Sequence, residues 1–65
     1  MKGKVKWFDK KKGYGFIEGE DGRDYFVHFS DVEKDGFRAL EEGEEVEFEP
    51  QETDRGTKAI KVRSL

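Results

Sequence analysis

The stretch KGYGFIEGEDGRDYFVHF, residues 12–29, decides how this chain folds: it sets six aromatic or imidazole rings among eighteen residues, with a period of two. Residues 14–19 (YGFIEG) and 24–29 (DYFVHF) alternate as half-buried strands do, and EDGR between them centres the turn signal Asp21-Gly22. Successive side chains of a strand point to opposite faces. One face of this hairpin carries Ile17, Tyr25 and Val27; the other carries Tyr14, Phe16, Glu18, Asp24, Phe26 and His28. Burying Glu18, Asp24 and His28 is costly unless each is paired. Ile17 and Val27 therefore belong inside, and Tyr14, Phe16, Phe26 and His28 form one patch outside. Tyr25 faces inward, so its hydroxyl is expected at the rim of the core. A domain of this size buries only about 60% of its unfolded surface, and each buried aromatic adds about 2 kcal/mol. Leaving a contiguous apolar patch outside forgoes that gain and marks a binding site.

The same alternation extends along the 65-residue chain. Strands are expected at 2–9 (KGKVKWFD), 44–50 (EEVEFEP) and 58–63 (KAIKVR), with Val46, Phe48, Ile60 and Val62 inward. KKKG and TDRG read as turns. Ser30 with Glu33 three residues on has the form of a capping box, so DVEK is expected as one short helical or 3₁₀ turn. Pro50 lacks an N–H and is expected at an edge or at the strand's end. Five short strands and no long helix predict one all-β domain, a small barrel or sandwich. Its core is Val5, Ile17, Val27, Val32, Leu40, Val46, Phe48, Ile60 and Val62.

There is no Cys, hence no disulfide framework or thiolate metal site. No run of about 18 apolar residues suggests a membrane span, and MKGKVKWF has no apolar leader core. The net charge of −3 hides an asymmetry. Residues 1–16 carry six lysines against Asp9, residues 17–54 carry fifteen acids against three cations, and residues 55–65 carry four cations and no acid. A fold that joins the two ends would put a basic surface on an acidic body.

The lysines lie beside the rings. Lys6 precedes Trp7 and Phe8, and Lys10, Lys11 and Lys12 run up to Tyr14. Stacking rings interleaved with cations are what single-stranded nucleic acid requires, since bases stack on rings and cations track phosphates. Gly13 and Gly15 read as giving the ligand close approach to the backbone. The lone His28 has no partners for a metal site and no nucleophile, so its role is a stacking ring or a donor, and no enzyme, cofactor or metal is expected. GYGFIEG lacks the glycine spacing and the following helix of a dinucleotide loop. An aromatic patch by itself also suits a docked peptide, so a protein-interaction or translation-factor module is the alternative.

Taken in order, GKVKWF, KGYGFI, DYFVHFSDV and GF resemble the cold-shock domain family along the whole chain. KGYGFI looks like the family's first ribonucleoprotein-type motif and YFVHF like its second. The resemblance implies a single domain over residues 1–65, folded as a five-stranded antiparallel Greek-key barrel of the OB type. It implies a cytoplasmic, monomeric RNA chaperone that binds single-stranded RNA and DNA, preferring pyrimidine-rich sequence. By position it assigns ligand contacts to Lys6, Trp7, Phe8, Lys12, Tyr14, Phe16, Asp24, Phe26, His28, Phe29, Phe37 and Arg55. Trp7, Phe16, Phe26, His28, Phe29 and Phe37 would be stacking platforms. Lys6, Lys12 and Arg55 would contact backbone or base edges, and Asp24 would accept from a base. RGTKA stands where RGPQA is common in the family, so Thr57 replaces Pro and Lys58 replaces Gln. Lys58 would either strengthen a phosphate contact or lose a base-specific hydrogen bond. Six glutamates in 41–49 would repel phosphate and confine ligand to the aromatic face.

Overall fold

A computed structural model describes residues 1–33 and 39–65. Five strands follow in order: β1 Lys2–Asp9, β2 Tyr14–Gly19, β3 Asp24–His28, β4 Glu45–Thr53 and β5 Gly56–Ser64. They close into a barrel in the spatial order β1-β2-β3-β5-β4, so that no sheet edge runs the whole length of the molecule. Neighbours pair antiparallel except at the closure, where β3 meets β5 in parallel through Phe26 and Lys58. That seam is short. A second parallel bridge, Val32 with Val62, and the bond from the Glu33 N–H to the Val62 carbonyl (2.7 Å) extend it.

Strict alternation builds β2 and β3. Ile17 and Val27 are fully buried, and Tyr25 joins them at 2% exposure while Tyr14, Phe16, Phe26 and His28 point the other way. The Tyr25 hydroxyl does reach the rim, where it donates to Asp21 Oδ2 at 2.6 Å in the β2–β3 turn. This bond, with the Arg23 N–H, holds the Asp21 carboxyl below its usual range. The same bond, with burial, raises the Tyr25 phenol. Val5, Val32, Leu40, Val46, Phe48, Ala59 and Val62 complete the core.

Two expectations fail here for physical reasons. Ile60 is half-buried rather than in the core, and Ala59 takes its place. The cause is a bulge: Glu47 pairs with Arg63 but Glu49 pairs with Ile60, so β5 carries one more residue than β4 across Phe48. The extra residue adopts the left-handed conformation at Lys61, φ 52°, which reverses parity along β5. Secondly, the 3₁₀ turn is Phe29–Asp31, not DVEK, and its cap is His28, whose Nδ1 accepts from the Ser30 N–H at 3.2 Å. Ser30 lies inside the turn, where it cannot cap it.

The strands also run further than expected. β4 continues through Pro50 to Thr53, and β5 spans Gly56–Ser64. Pro50 pairs with Ala59 where β4 has β5 on one side only, since β1 pairs with β4 no further than Glu47. It is an edge position, as its missing N–H demands, but not the strand's end.

A non-glycine residue in the left-handed region costs about 1–2 kcal/mol. Lys61→Gly is therefore expected to be more stable than Lys61→Ala by about 1 kcal/mol in urea unfolding, since both remove the same ion pair with Glu49. Equal stability, or an advantage for alanine, contradicts the strain at this bulge.

Candidate nucleic-acid interface

The position of Trp7 depends on one residue of β1. Val5 pairs with Ile17 and Trp7 pairs with Phe16, so Lys6 is an insertion in the ladder. Without it, Trp7 would follow Val5 into the barrel. With it, Lys6 and Trp7 both face out, and Trp7 is 40% exposed directly opposite Phe16. The insertion also turns Phe8 inward, where it packs against the core. Phe8 is therefore not one of the rings of the patch; it stays partly buried at its border with the core.

The patch is a closed cycle of four rings. Trp7 lies 5.9 Å from Tyr14 and 5.6 Å from Phe16, and Phe26 lies 5.8 Å from both. Three adjacent strands supply it: Trp7 from β1, Tyr14 and Phe16 from β2, Phe26 from β3. Neighbouring planes are inclined by 30° to 75°. Bases laid on successive rings of such a surface cannot stay parallel to one another, as duplex bases must. Beside the cycle stands a second pair, His28 and Phe29, with ring centroids 4.6 Å apart. His28 is the cross-strand partner of Tyr14. Phe29 ends the alternation of β3 by entering the 3₁₀ turn, and is 46% exposed.

The glycines of this region serve the fold rather than the ligand. Gly13 has φ 78°, and a Cβ there would sit 2.6 Å from Phe29 Cδ1, so the Phe29 ring rests where a side chain would be. Gly15 is buried against β1, and a Cβ there would lie 2.7 Å from Phe8 Cα. The absent side chains let β1 and the 3₁₀ turn close on β2; they do not open the backbone to solvent. Asp9 organises the β1–β2 turn by accepting from the Lys11 and Lys12 N–H groups at 2.9 and 3.0 Å.

Charge is distributed more locally than the segment balance implied. The basic ends do not merge, because β4 separates β1 from β5. Lys61 pairs with Glu49, and Arg63 lies near Glu33 and Glu47. Lys10 is bound to Glu41 at 2.6 Å. Lys6 pairs with Asp24 at 3.2 Å across the outer face; such exposed pairs contribute about 0–1 kcal/mol and give way readily to a ligand. Lys12, Arg55 and Lys58 stand outside every ion pair among the described residues. Lys12 lies in the turn leading to Tyr14, and the other two flank the rings from the β4–β5 side.

Arg55 and Lys58 border a cleft of ≈ 730 Å³ floored by Phe16 and Phe26 and closed by the β4–β5 turn. Asp24, Thr53, Asp54 and Thr57 line the rest. The Thr57 hydroxyl donates to the Asp24 carbonyl oxygen at 3.1 Å and ties the turn to β3, a bond that proline at this position cannot make. Sequence reasoning took 53–56 for a plain turn and missed Thr53 and Asp54; their place beside the rings follows from the barrel's closure. Phe37, assigned a stacking role above, lies outside the described residues.

A small closed five-stranded barrel with aromatic side chains displayed on β1–β3 defines a domain of the OB class. Residues 1–65 match the family described as the 'Cold-shock' DNA-binding domain, and the chain belongs to that family. It is 58% identical over 60 residues to "Cold shock protein 1" of Lactiplantibacillus plantarum, covering 92% of this chain and 91% of that one. It is 57% identical over 63 residues to "Cold shock-like protein" of Thermotoga maritima, covering 97% and 96%. With "Cold shock protein CspB" of Geobacillus stearothermophilus the identity is 55% over 65 residues, covering 100% and 98%.

Proposed function

We propose that this domain binds single-stranded RNA or DNA, about six to seven nucleotides at a time, and acts as a monomeric cytoplasmic RNA chaperone. The observation that carries the reading is the four-ring cycle of Trp7, Tyr14, Phe16 and Phe26, beside the unpaired cations Lys12, Arg55 and Lys58. Bases stack on the rings while the cations meet phosphates. His28 and Phe29 extend the platform, and Lys6 and Asp24 become available once their mutual pair opens. Pyrimidine-rich sequence suits this surface. Its smaller bases and more flexible backbone adapt to rings only 5.6–5.9 Å apart. A chain held this way is removed from base pairing, so weak RNA structure melts by mass action. On this reading the domain acts by binding, with no catalytic step assigned to it.

Oligo-dT titrated into micromolar protein at low salt is expected to quench Trp7 fluorescence. The double variant Phe16→Ala/Phe26→Ala is expected to lose about 30-fold or more in affinity, at about 1–3 kcal/mol per stacked base, while its far-UV spectrum is retained. Normal oligonucleotide binding by that variant would instead favour a peptide-docking surface.

The salt dependence follows from the charge pattern. Three unpaired cations at a single strand give a log–log slope of roughly −2. A slope steeper than about −4 contradicts ring-dominated binding.

A further inference from the structure

We propose that His28 is a pH-responsive positioning residue: as a neutral imidazole it caps the 3₁₀ turn that presents Phe29, and on protonation it releases that turn. The inference rests on the binding function proposed above and adds a condition under which one part of the surface is assembled.

The turn Phe29–Asp31 buries none of its three residues, and Phe29 is 46% exposed. Burial does little to fix such a segment, so its hydrogen bonds decide its order. The Phe29 N–H donates to the Gly13 carbonyl at 2.8 Å, and the Val32 N–H donates to the Phe29 carbonyl at 3.1 Å. The Ser30 N–H donates to His28 Nδ1 at 3.2 Å. The first two are backbone bonds with no titrating partner. The third exists only while Nδ1 carries a lone pair, which a neutral imidazole with its proton on Nε2 provides. The Ser30 hydroxyl lies 2.9 Å from the same nitrogen, so in this state it donates to Nδ1 as well.

Protonation at Nδ1 reverses the polarity of this contact, because the new N–H meets two donors. The Ser30 hydroxyl can rotate and accept. The Ser30 N–H cannot, and the cap is lost. Phe29 then loses the support of the turn; its ring rests in the space left by the absent Gly13 side chain, 4.6 Å from the imidazole. Imidazole is the side chain whose charge changes between about pH 5 and 8, whereas a hydroxyl cap would hold the turn throughout that range.

Among the described residues, four elements bring titratable or charged groups towards this cap. Tyr14 is the cross-strand partner of His28 on β2, and Lys12 precedes the Gly13 that binds the Phe29 N–H. Asp31 belongs to the turn itself. Glu33, Lys58 and Lys61 border, with Ser30 and Asp31, a cleft of ≈ 320 Å³ between the turn and β5. Lys61 is paired with Glu49, and Glu33 lies near Arg63.

The test compares the wild type with His28→Asn and His28→Gln between about pH 7.5 and about pH 5.5, above the carboxylate range and below that of the amines. The Asn Oδ1 takes the place of Nδ1 and accepts at either pH. The Gln amide lies one bond farther out and does not reach the Ser30 N–H. In the ligand-free protein, amide-exchange protection at Ser30 and Val32 is expected to fall about threefold or more in the wild type as the pH is lowered. It is expected to stay constant in His28→Asn and to be low at both pH values in His28→Gln. With oligo-dT at about 0.3 M salt, where an added surface charge is screened, wild-type affinity is expected to fall by about twofold to threefold over the same window. The affinity of His28→Asn is expected to stay flat. Unchanged protection in the wild type overturns the switch. So does tighter binding at the lower pH with the turn intact, which makes the imidazolium a simple phosphate cation. Absence of oligo-dT quenching at both pH values would remove the binding function, while the turn's response is still decided in the free protein.

Discussion

The insertion of Lys6 into β1 is the constraint on which the ligand face depends. Between Val5 and Trp7 the ladder to β2 slips by one residue, and the parity of everything after it reverses. A regular β1 would bury Trp7 with Val5 and Ile17 and would expose Phe8. The cycle of rings would then lose the member that joins Tyr14 to Phe16 on the β1 side. The core would have to accept an indole in a barrel already filled by Tyr25 and Phe48, whose rings stand 5.0 Å apart. The bulge thus divides the large side chains between interior and surface.

The charges follow the same division. On the side of β4 and β5 away from the rings, Lys61 and Arg63 lie among Glu33, Glu47 and Glu49, and the balance there is close to neutral or acidic. At the rings the cations are left unpaired or held in pairs that a ligand can open. A net charge of −3 is therefore compatible with a surface that attracts an anionic chain, because long-range charge is screened within about 10 Å at ordinary salt. On the proposed reading, what a nucleic-acid strand would meet is the local arrangement of rings and a few lysines and arginines.

Much of this was legible in the sequence. The alternation of Tyr14, Phe16, Phe26 and His28 against Ile17, Tyr25 and Val27 could be read from residues alone, because a polar group on one face of each strand made the choice costly to reverse. Bulges were not legible. Neither Lys6 nor Lys61 is a glycine or a proline, and a lysine at φ 52° leaves no local mark. Hence Ile60 was assigned to the core, and the inward turn of Phe8 could not be foreseen. The cap at Phe29–Asp31 was hidden for a related reason: an imidazole nitrogen accepts the Ser30 N–H, a role sequence patterns give to hydroxyls and carboxylates. The cleft beside Asp54 was invisible because it exists only when β5 closes on β3.

The central claim is that single-stranded nucleic acid lies on the ring cycle that the β1 bulge assembles. The most direct measurement is the ring-proton NMR spectrum of the protein with and without oligo-dT. Large shifts and intermolecular contacts are expected at Trp7, Tyr14, Phe16, Phe26, His28 and Phe29, with Phe8, Tyr25 and Phe48 little changed. Shifts centred on Phe8 or on the glutamate-rich face of β4, with Trp7 and Phe16 unmoved, would contradict the account.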